Sequence, residues 1–346
     1  MAGDVSIMDK TEKTDKAMNN KNKINYLRQR MVIFLCLLLM AVSFSGCGSS
    51  PLSFRDSFEN YYNNHKKDAG VELSGMAESI AVIDPADETD PNYITSDYAD
   101  LLINQSRLKA VESSHCFQRL YPASITKVMT ALLVLERGNL DDEITLDHDI
   151  ILGEDGAVVS CLSKGDKVTV DQVFHTMLIK SANDCAVILA EYIAGSEAKF
   201  AELMNKRAQE LGATGTHFVN SNGLHDDNHY TTAYDLYLIF REATKYDVFI
   251  DTISSSNYTM TYVNSSGTQV SEFMESTNHY LLREYDLPEG VTMFGGKTGT
   301  TSMAKSCLMV LTENQKGERF YSVVLGADTK DDLYRSMTRL LAKTVN

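Results

Sequence analysis

Positive charge is scarce in this chain: 32 lysines and arginines face 47 aspartates and glutamates, a formal net charge of −15. Nucleic acid is therefore a poor partner, because neutralising phosphates requires clustered Lys and Arg. Cysteine is scarce too, and six in 346 residues do not make a disulfide scaffold. Internal repeats and low-complexity segments are missing, which excludes a solenoid or array. So is any apolar run of about 20 residues, the length a membrane-spanning helix needs. What is present is ordinary: 43% hydrophobic and 23% charged residues exclude a disordered or fibrous protein. The length suits one large domain or two modest ones, with enough chain to bury a sizeable core.

The charge is unevenly spread. Up to Gly46, seven Lys/Arg stand against four acids, so this leader is +3 and the remainder −18. The longest apolar run, Met31–Val42 (MVIFLCLLLMAV), follows Arg28 and Arg30 directly. A basic flank and a short apolar core describe an export signal. The run closes on Phe44-Ser45-Gly46-Cys47, small residues before a cysteine that resemble a bacterial lipobox, although Phe44 replaces the usual leucine. The expectation is a lipoprotein-type signal over 1–46, acylation at Cys47, and a tether over 47–70. An uncleaved signal anchor is the alternative, and translation could start at Met8, Met18 or Met31. Both readings put the bulk of the chain on the extracytoplasmic face of a membrane. Cys36 falls in the signal. Cys116, Cys161, Cys185 and Cys307 could pair or remain thiols.

Ser79–Ile83, closed by Asp84-Pro85, reads as a strand. Ala86 to about Gln118 reads as polar and irregular, with a possible helix near Asp97–Val111. Helical periodicity follows at Ile125–Glu136, Val170–Lys180, Asp184–Ala194, Glu197–Leu211 and Thr232–Lys245. Strand-like runs come later, at Tyr258–Val263, Met293–Gly299, Ser306–Thr312 and Phe320–Gly326, before a closing amphipathic helix, Asp331–Lys343. This order implies an α/β (α+β) architecture. The early strand joins the late hairpin in one antiparallel sheet with helices on its faces, and a helical subdomain is inserted at about 125–250.

Three short motifs carry chemistry. Ser124-Ile125-Thr126-Lys127 puts a lysine one helical turn from a serine hydroxyl, and a lysine with a depressed pKa can take that hydroxyl's proton. Alone it is weak, since Ser106–Lys109, Ser196–Lys199 and Ser302–Lys305 share the spacing and a solvated helix face explains any one of them. Ser124 differs because it follows Tyr121-Pro122-Ala123 and opens an apolar helix. Ser181-Ala182-Asn183 lies between two helices, where a capping turn is the plain explanation. Lys297-Thr298-Gly299, flanked by Gly295 and Gly296, fits either a ligand's close approach or a Gly-rich bend at a strand end.

In this order, S-x-x-K, S-x-N and K-T-G are the signature of penicillin-binding proteins and serine β-lactamases. From about Ser79 onward the chain resembles the serine-type D-alanyl-D-alanine carboxypeptidases. Further blocks support this: Phe218-Val219-Asn220 with Gly223-Leu224, His229-Tyr230-Thr231-Thr232-Ala233 with Asp235-Leu236, and Gly296–Thr301. The resemblance implies a β-lactamase/transpeptidase-like fold and an acyl-enzyme on Ser124. Lys127 would be the general base, with proton traffic through Ser181. Asn183 would bind the substrate backbone, and Lys297, Thr298, Gly299 and Thr300 would form the wall that receives the terminal carboxylate. Backbone N–H groups of Ser124 and Thr300 would form the oxyanion hole. The implied partners are peptidoglycan stem peptides, β-lactams as covalent inhibitors, and the membrane through the Cys47 lipid; no cofactor or metal is implied. No Glu-x-x-Leu-Asn element follows Asn183, so slow release of penicillin is expected rather than β-lactamase activity. Endopeptidase or transpeptidase action on the same acyl-enzyme remains open. The family's extra C-terminal β-domain and anchor helix are not expected here, so residues 71–346 read as the catalytic domain.

Two other readings compete. His225-Asp226-Asp227-Asn228-His229 holds plausible zinc ligands, though no H-E-x-x-H occurs. A catalytically silent wall-binding protein is the other, and it would have to retain every reactive residue without using it.

Overall fold

The computed structural model describes Ile80, Ala81, Ile83 and residues 98–345 apart from Asp155. The leader, Cys36, Cys47, the tether and the first part of the segment from Ala86 (86–97) lie outside the described residues. Residues 74–346 form one compact unit.

Its backbone is a five-stranded antiparallel sheet in the order β2-β1-β9-β8-β7. The strands are β1 (Ala99–Asn104), β2 (Lys109–Ser114), β7 (Val291–Thr301), β8 (Lys305–Asn314) and β9 (Arg319–Ala327). Both faces of the central strands are covered, so ADLLIN in β1 is buried at every position. Side chains alternate across a strand, and the core divides accordingly. Leu101, Ile103, Met309, Leu311 and Val323 face the main helical core. Leu102, Leu308, Val310, Phe320 and Val324 face the C-terminal helix. That helix, Lys330–Ala342, offers Leu333, Tyr334, Met337, Leu340 and Leu341 at helical spacing and is capped by Thr329, whose hydroxyl accepts the Asp332 N–H.

This corrects the expected first strand. The described residues of Ser79–Ile83 are outside any strand. Ala81 is held by an α-helix instead: its N–H donates to the Tyr237 hydroxyl (3.1 Å), and the Tyr234 hydroxyl donates to its carbonyl (2.9 Å). The first strand among the described residues lies within the segment read as irregular, and its hairpin replaces the helix expected near Asp97–Val111. A strand buried on both faces shows no alternation, so the period-2 signal was absent there.

The helices are α1 (Lys127–Arg137), α2 (Val170–Ile179), α3 (Asn183–Ala194), α4 (Glu197–Glu210), α5 (Ala233–Ala243), α6 (Asp247–Ser254) and the C-terminal α7. A capping box between Thr169 and Gln172 starts α2. The helical region is not purely helical. Strands β3 (Glu143–Thr145) and β4 (Lys167–Thr169) belong to a second sheet, β3-β4-β5-β6, completed by β5 (Asn257–Val263) and β6 (Gln269–Glu275). Tyr258–Val263 therefore belongs to this second sheet and not to the late hairpin's.

Candidate active site

Ser124 sits on a single 3-10 turn, Ala123–Thr126, that runs directly into α1. The turn brings the Lys127 side chain back onto the serine, and its Nζ lies 2.9 Å from Ser124 Oγ. Lys127 is fully buried, whereas Lys109, Lys199 and Lys305 of the other S-x-x-K pairs all reach solvent. A solvated helix face therefore does not explain the Ser124 pair.

Lys127 Nζ also donates to Asn183 Oδ1 (2.8 Å) and to the Asn222 carbonyl (2.6 Å). The Asn183 amide orientation is fixed, because its Nδ2 donates to the Val158 carbonyl (3.0 Å). Asn183 and Asn222 thus present pure acceptors, while Ser124 alone carries a proton of its own. A neutral lysine has two N–H bonds for the two acceptors and a lone pair for the Ser124 hydroxyl. Burial, reinforced by the Lys297 charge, drives the Lys127 pKa well below the usual lysine value.

Ser181 and Asn183 precede and open α3, but neither caps it. The N-cap is Ala182, which makes no side-chain capping bond. Ser181 adopts φ +63°, and Ala123, beside Ser124, adopts φ +48°. Non-glycine residues held in this region store strain that the surroundings must enforce, a pattern common at functional sites. The Ser181 hydroxyl accepts from Lys297 Nζ (2.9 Å), which also donates to the Thr298 carbonyl (2.9 Å). The described bond to Ser181 thus comes from Lys297, not from Lys127.

Lys297 is 1% exposed, and burial lowers its pKa to about 7. Among the described residues neither buried lysine has a salt-bridge partner. Lys297-Thr298-Gly299 lies inside β7, the edge strand of the main sheet, so the bend reading fails. A Cβ on Gly299 would stand 2.8 Å from the Pro122 carbonyl oxygen and 3.0 Å from the Ser124 nitrogen. Glycine lets β7 press against the serine's own backbone amide. Ser124, Ser181, Asn183, Thr298, Gly299 and Thr300 line one cleft of about 420 Å³, with Lys127 and Lys297 beneath it.

Several participants escaped the sequence reading. The Asn222 carbonyl belongs to a tight loop in which Asn220 Oδ1 accepts the Gly223 N–H (2.7 Å) and the Thr130 hydroxyl donates to the Ser221 carbonyl (2.6 Å). A backbone carbonyl has no residue signature, and Gly223 was the sole hint. Thr277 pairs its hydroxyl with that of Thr298 (2.5 Å). His279, Lys330 and Tyr334 wall the same end of the cleft. The segment through Val158 forms another wall and is pinned by Asp184, which accepts from the Ser160 backbone N–H and hydroxyl.

The His225–His229 cluster is divided between two tasks. His225 Nε2 lies 3.3 Å from Asp227. Buried His229 accepts the Val219 N–H at Nδ1 (3.1 Å), so its neutral tautomer carries the proton on Nε2 and donates to Thr126 Oγ1 (2.8 Å). Burial lowers its pKa to about 4. The described residues hold no group of three or more His, Cys, Asp or Glu placed to bind a metal ion. Cys116, Cys161, Cys185 and Cys307 form no disulfide.

A family model described as D-alanyl-D-alanine carboxypeptidase matches residues 86–329. Among curated proteins, D-alanyl-D-alanine carboxypeptidase DacF of Bacillus subtilis is 34% identical over 250 residues, covering 70% of this chain and 60% of that protein. DacC of Escherichia coli is 30% identical over 251 residues, covering 70% and 59%. The chain thus spans about 60% of the length of these relatives. Among solved structures, a Streptomyces DD-transpeptidase superposes with a TM-score of 0.63 at 25% identity, covering 71% of this chain and 95% of that one. Penicillin-binding protein D2 from Listeria monocytogenes, in a cefotaxime-bound form, gives 0.59 at 27% identity, covering 71% and 96%.

Proposed function

The chain belongs to the D-alanyl-D-alanine carboxypeptidase family, and from that membership we propose that it removes the terminal D-alanine from peptidoglycan stem peptides through an acyl-enzyme on Ser124. One observation carries the reading: Lys127 Nζ, fully buried and without a salt-bridge partner among the described residues, stands 2.9 Å from Ser124 Oγ.

The chemistry follows from the bond pattern. Neutral Lys127 takes the Ser124 proton as Oγ attacks the carbonyl between the two D-alanines. The developing oxyanion is received by the Ser124 and Thr300 backbone N–H groups, each worth roughly 3–4 kcal/mol in such sites. The proton then passes to the departing amine, the C–N bond breaks and free D-alanine leaves. Ser181, held by Lys297, is the relay on the leaving-group side. The terminal carboxylate docks against Lys297, Thr298 and Thr300, where a fixed cation and hydroxyls suit an anion. Its negative charge favours the protonated form of Lys297, whose pKa near 7 leaves it poised between forms. Asn183 shares its amide between Lys127 and the wall at Val158, and from there it reaches the substrate backbone along β7. Water then attacks the ester, with Lys127 again the base.

An amine in place of that water makes the reaction a transpeptidation, and a cross-linked substrate makes it an endopeptidation. β-Lactams acylate Ser124 in the same way. Their slow release rests on the missing Glu-x-x-Leu-Asn element and marks the protein as a penicillin target. Acylated Cys47 would hold the domain on the extracytoplasmic face of the membrane, a placement that rests on the Phe44–Cys47 motif and the basic leader.

Fluorescent penicillin tests the core of the reading. Wild type should form a covalent adduct that Ser124→Ala abolishes; an adduct surviving that change removes Ser124 as nucleophile. Mass analysis of a pentapeptide muropeptide digest should show loss of one alanine. Cross-linked or bridge-cleaved products would reassign the activity.

A further inference from the structure

The Lys127 amine can take the Ser124 proton only while its lone pair faces the hydroxyl, and a neutral amine is free to turn about its last bond. Two acceptors stop it turning. The Asn183 amide is one, itself fixed on the Val158 carbonyl. The Asn222 carbonyl is the other, and it is only as steady as the loop over 218–224 that carries it.

That loop is held from several sides. At its start Asn205 of α4 accepts the Phe218 N–H and donates to the Phe218 carbonyl, both at 2.7 Å. At its end Asn220 Nδ2 donates to the Leu224 carbonyl (2.9 Å), and Asn222 Oδ1 accepts the Leu224 N–H (2.8 Å). Between them Ser221, next to Asn222, is fully buried. Its carbonyl accepts from the Thr130 hydroxyl, which sits one turn from Lys127 on α1, so this bond ties the loop to the helix that carries the base. The Ser221 N–H (3.1 Å) and hydroxyl (2.7 Å) both donate to Glu197 Oε1 of α4.

Helix capping does not account for Glu197. Ser196 starts α4, its hydroxyl accepting the Lys199 N–H, and among the described residues the Glu197 carboxylate bonds only to Ser221. A charged acceptor holds its donors more firmly than a neutral one. Without it two buried donors lose their partner, and a buried N–H can regain one only if the backbone moves. The Asn222 carbonyl lies one residue further on and moves with it.

We propose that Glu197 is a positioning residue for acylation: through Ser221 it sets the Asn222 carbonyl, which aims the Lys127 lone pair at Ser124. Glu197 itself touches neither the substrate nor the reacting atoms. The inference rests on the acyl-enzyme reading above and adds a residue of α4 to it.

Progress curves of penicillin acylation give a limiting rate and a half-saturating concentration, and a positioning residue should move only the first. Glu197→Ala should lower the limiting rate about tenfold, part of the roughly 10²-fold that a 1 Å displacement costs, and leave the half-saturating concentration within about twofold of wild type. Glu197→Gln should stay within about twofold on both, because an amide oxygen accepts the same two bonds. Ser221→Ala keeps its backbone bond to Glu197 and loses the hydroxyl's. Its limiting rate should fall about threefold, which reads the same contact if Glu197→Ala does not fold. Met204→Ala removes a buried side chain from the same helix and should lose thermal stability while keeping the wild-type limiting rate. Wild-type limiting rates in Glu197→Ala or Ser221→Ala, a Glu197→Gln as slow as Glu197→Ala, or an equal slowing in Met204→Ala overturn the positioning role alone. A wild type that forms no adduct with penicillin overturns the acyl-enzyme reading and this role with it.

Discussion

Replacing Gly223 with alanine should disable the site without touching any group that performs chemistry. Gly223 adopts φ +87°, and a Cβ there would lie 1.9 Å from the Ala123 carbonyl oxygen, 2.4 Å from its carbon and 2.8 Å from Thr126 Oγ1. Two of these three atoms are backbone, so no side-chain rotation relieves the clash. To reach even 3.0 Å the two segments must separate by about 1.1 Å. One segment carries Ser124; the other carries the Asn222 carbonyl that fixes Lys127. A displacement of about 1 Å in a reacting pair costs on the order of 10²-fold in rate. The left-handed conformation adds about 1–2 kcal/mol for a residue with a Cβ, and forced repacking about 1–3 kcal/mol more. The assay is the second-order rate of penicillin acylation, read beside thermal denaturation. Leu102→Ala supplies the comparison. It opens a cavity at a fully buried position on β1, remote from β7 in the sheet, and should destabilise by about 2–5 kcal/mol. Gly223→Ala should lose about 10²-fold in acylation, whereas Leu102→Ala stays near wild type at a similar loss of stability. A Gly223→Ala protein that acylates within threefold of wild type would refute the claim that this contact sets the Ser124–Lys127 geometry.

Further expectations follow from the same contacts. The pH profile of acylation should rise as Lys127 loses its proton and fall near pH 7 as Lys297 loses its own. Because the Lys297 charge helps depress Lys127, Lys297→Gln should remove the falling limb and move the rising limb to higher pH; an unmoved rising limb would show that the two amines do not interact. His229 has a folded pKa of about 4 against the usual 6.5, so the unfolded chain binds more protons between those values and stability falls as pH drops through that window. The term approaches about 3 kcal/mol, and His229→Gln should lose it, as denaturant midpoints of both proteins between pH 4 and 7 would reveal. Ser160→Ala removes one donor from the buried Asp184 carboxylate, at about 1–3 kcal/mol, and loosens the Val158 wall. KM for D-Ala-D-Ala peptides should rise more than kcat falls; the reverse would place this wall in the chemical step.

Much of the helical half was legible from the chain. Thr169 with Gln172, Ser196 and Thr232 announce helix starts through their own side chains, and α2–α5 lie within one or two residues of the expected limits. The first strand was misplaced because burial on both faces erased the alternation that marks a strand, while Ser79–Ile83 imitated one through its β-branched residues, although the Ala81 backbone there is bonded to Tyr234 and Tyr237 of α5. The second sheet was missed because β3 and β4 have three residues each, too few for any period to register.

The candidate residues that the structure gathers around one cleft were visible in the sequence alone, since a serine, two lysines and an asparagine at fixed spacing can be read wherever the chain folds. Their condition was not. Only the tertiary structure buries both lysines without a carboxylate partner among the described residues, sets the Asn222 carbonyl and Asn183 amide on Lys127, and brings β7 against the Ser124 nitrogen through a glycine. Side-chain identity is local information. Desolvation, backbone acceptors and close approach arise only between segments that lie far apart in the chain, and desolvation, with the Lys297 charge, lowers the Lys127 pKa well below the usual lysine value.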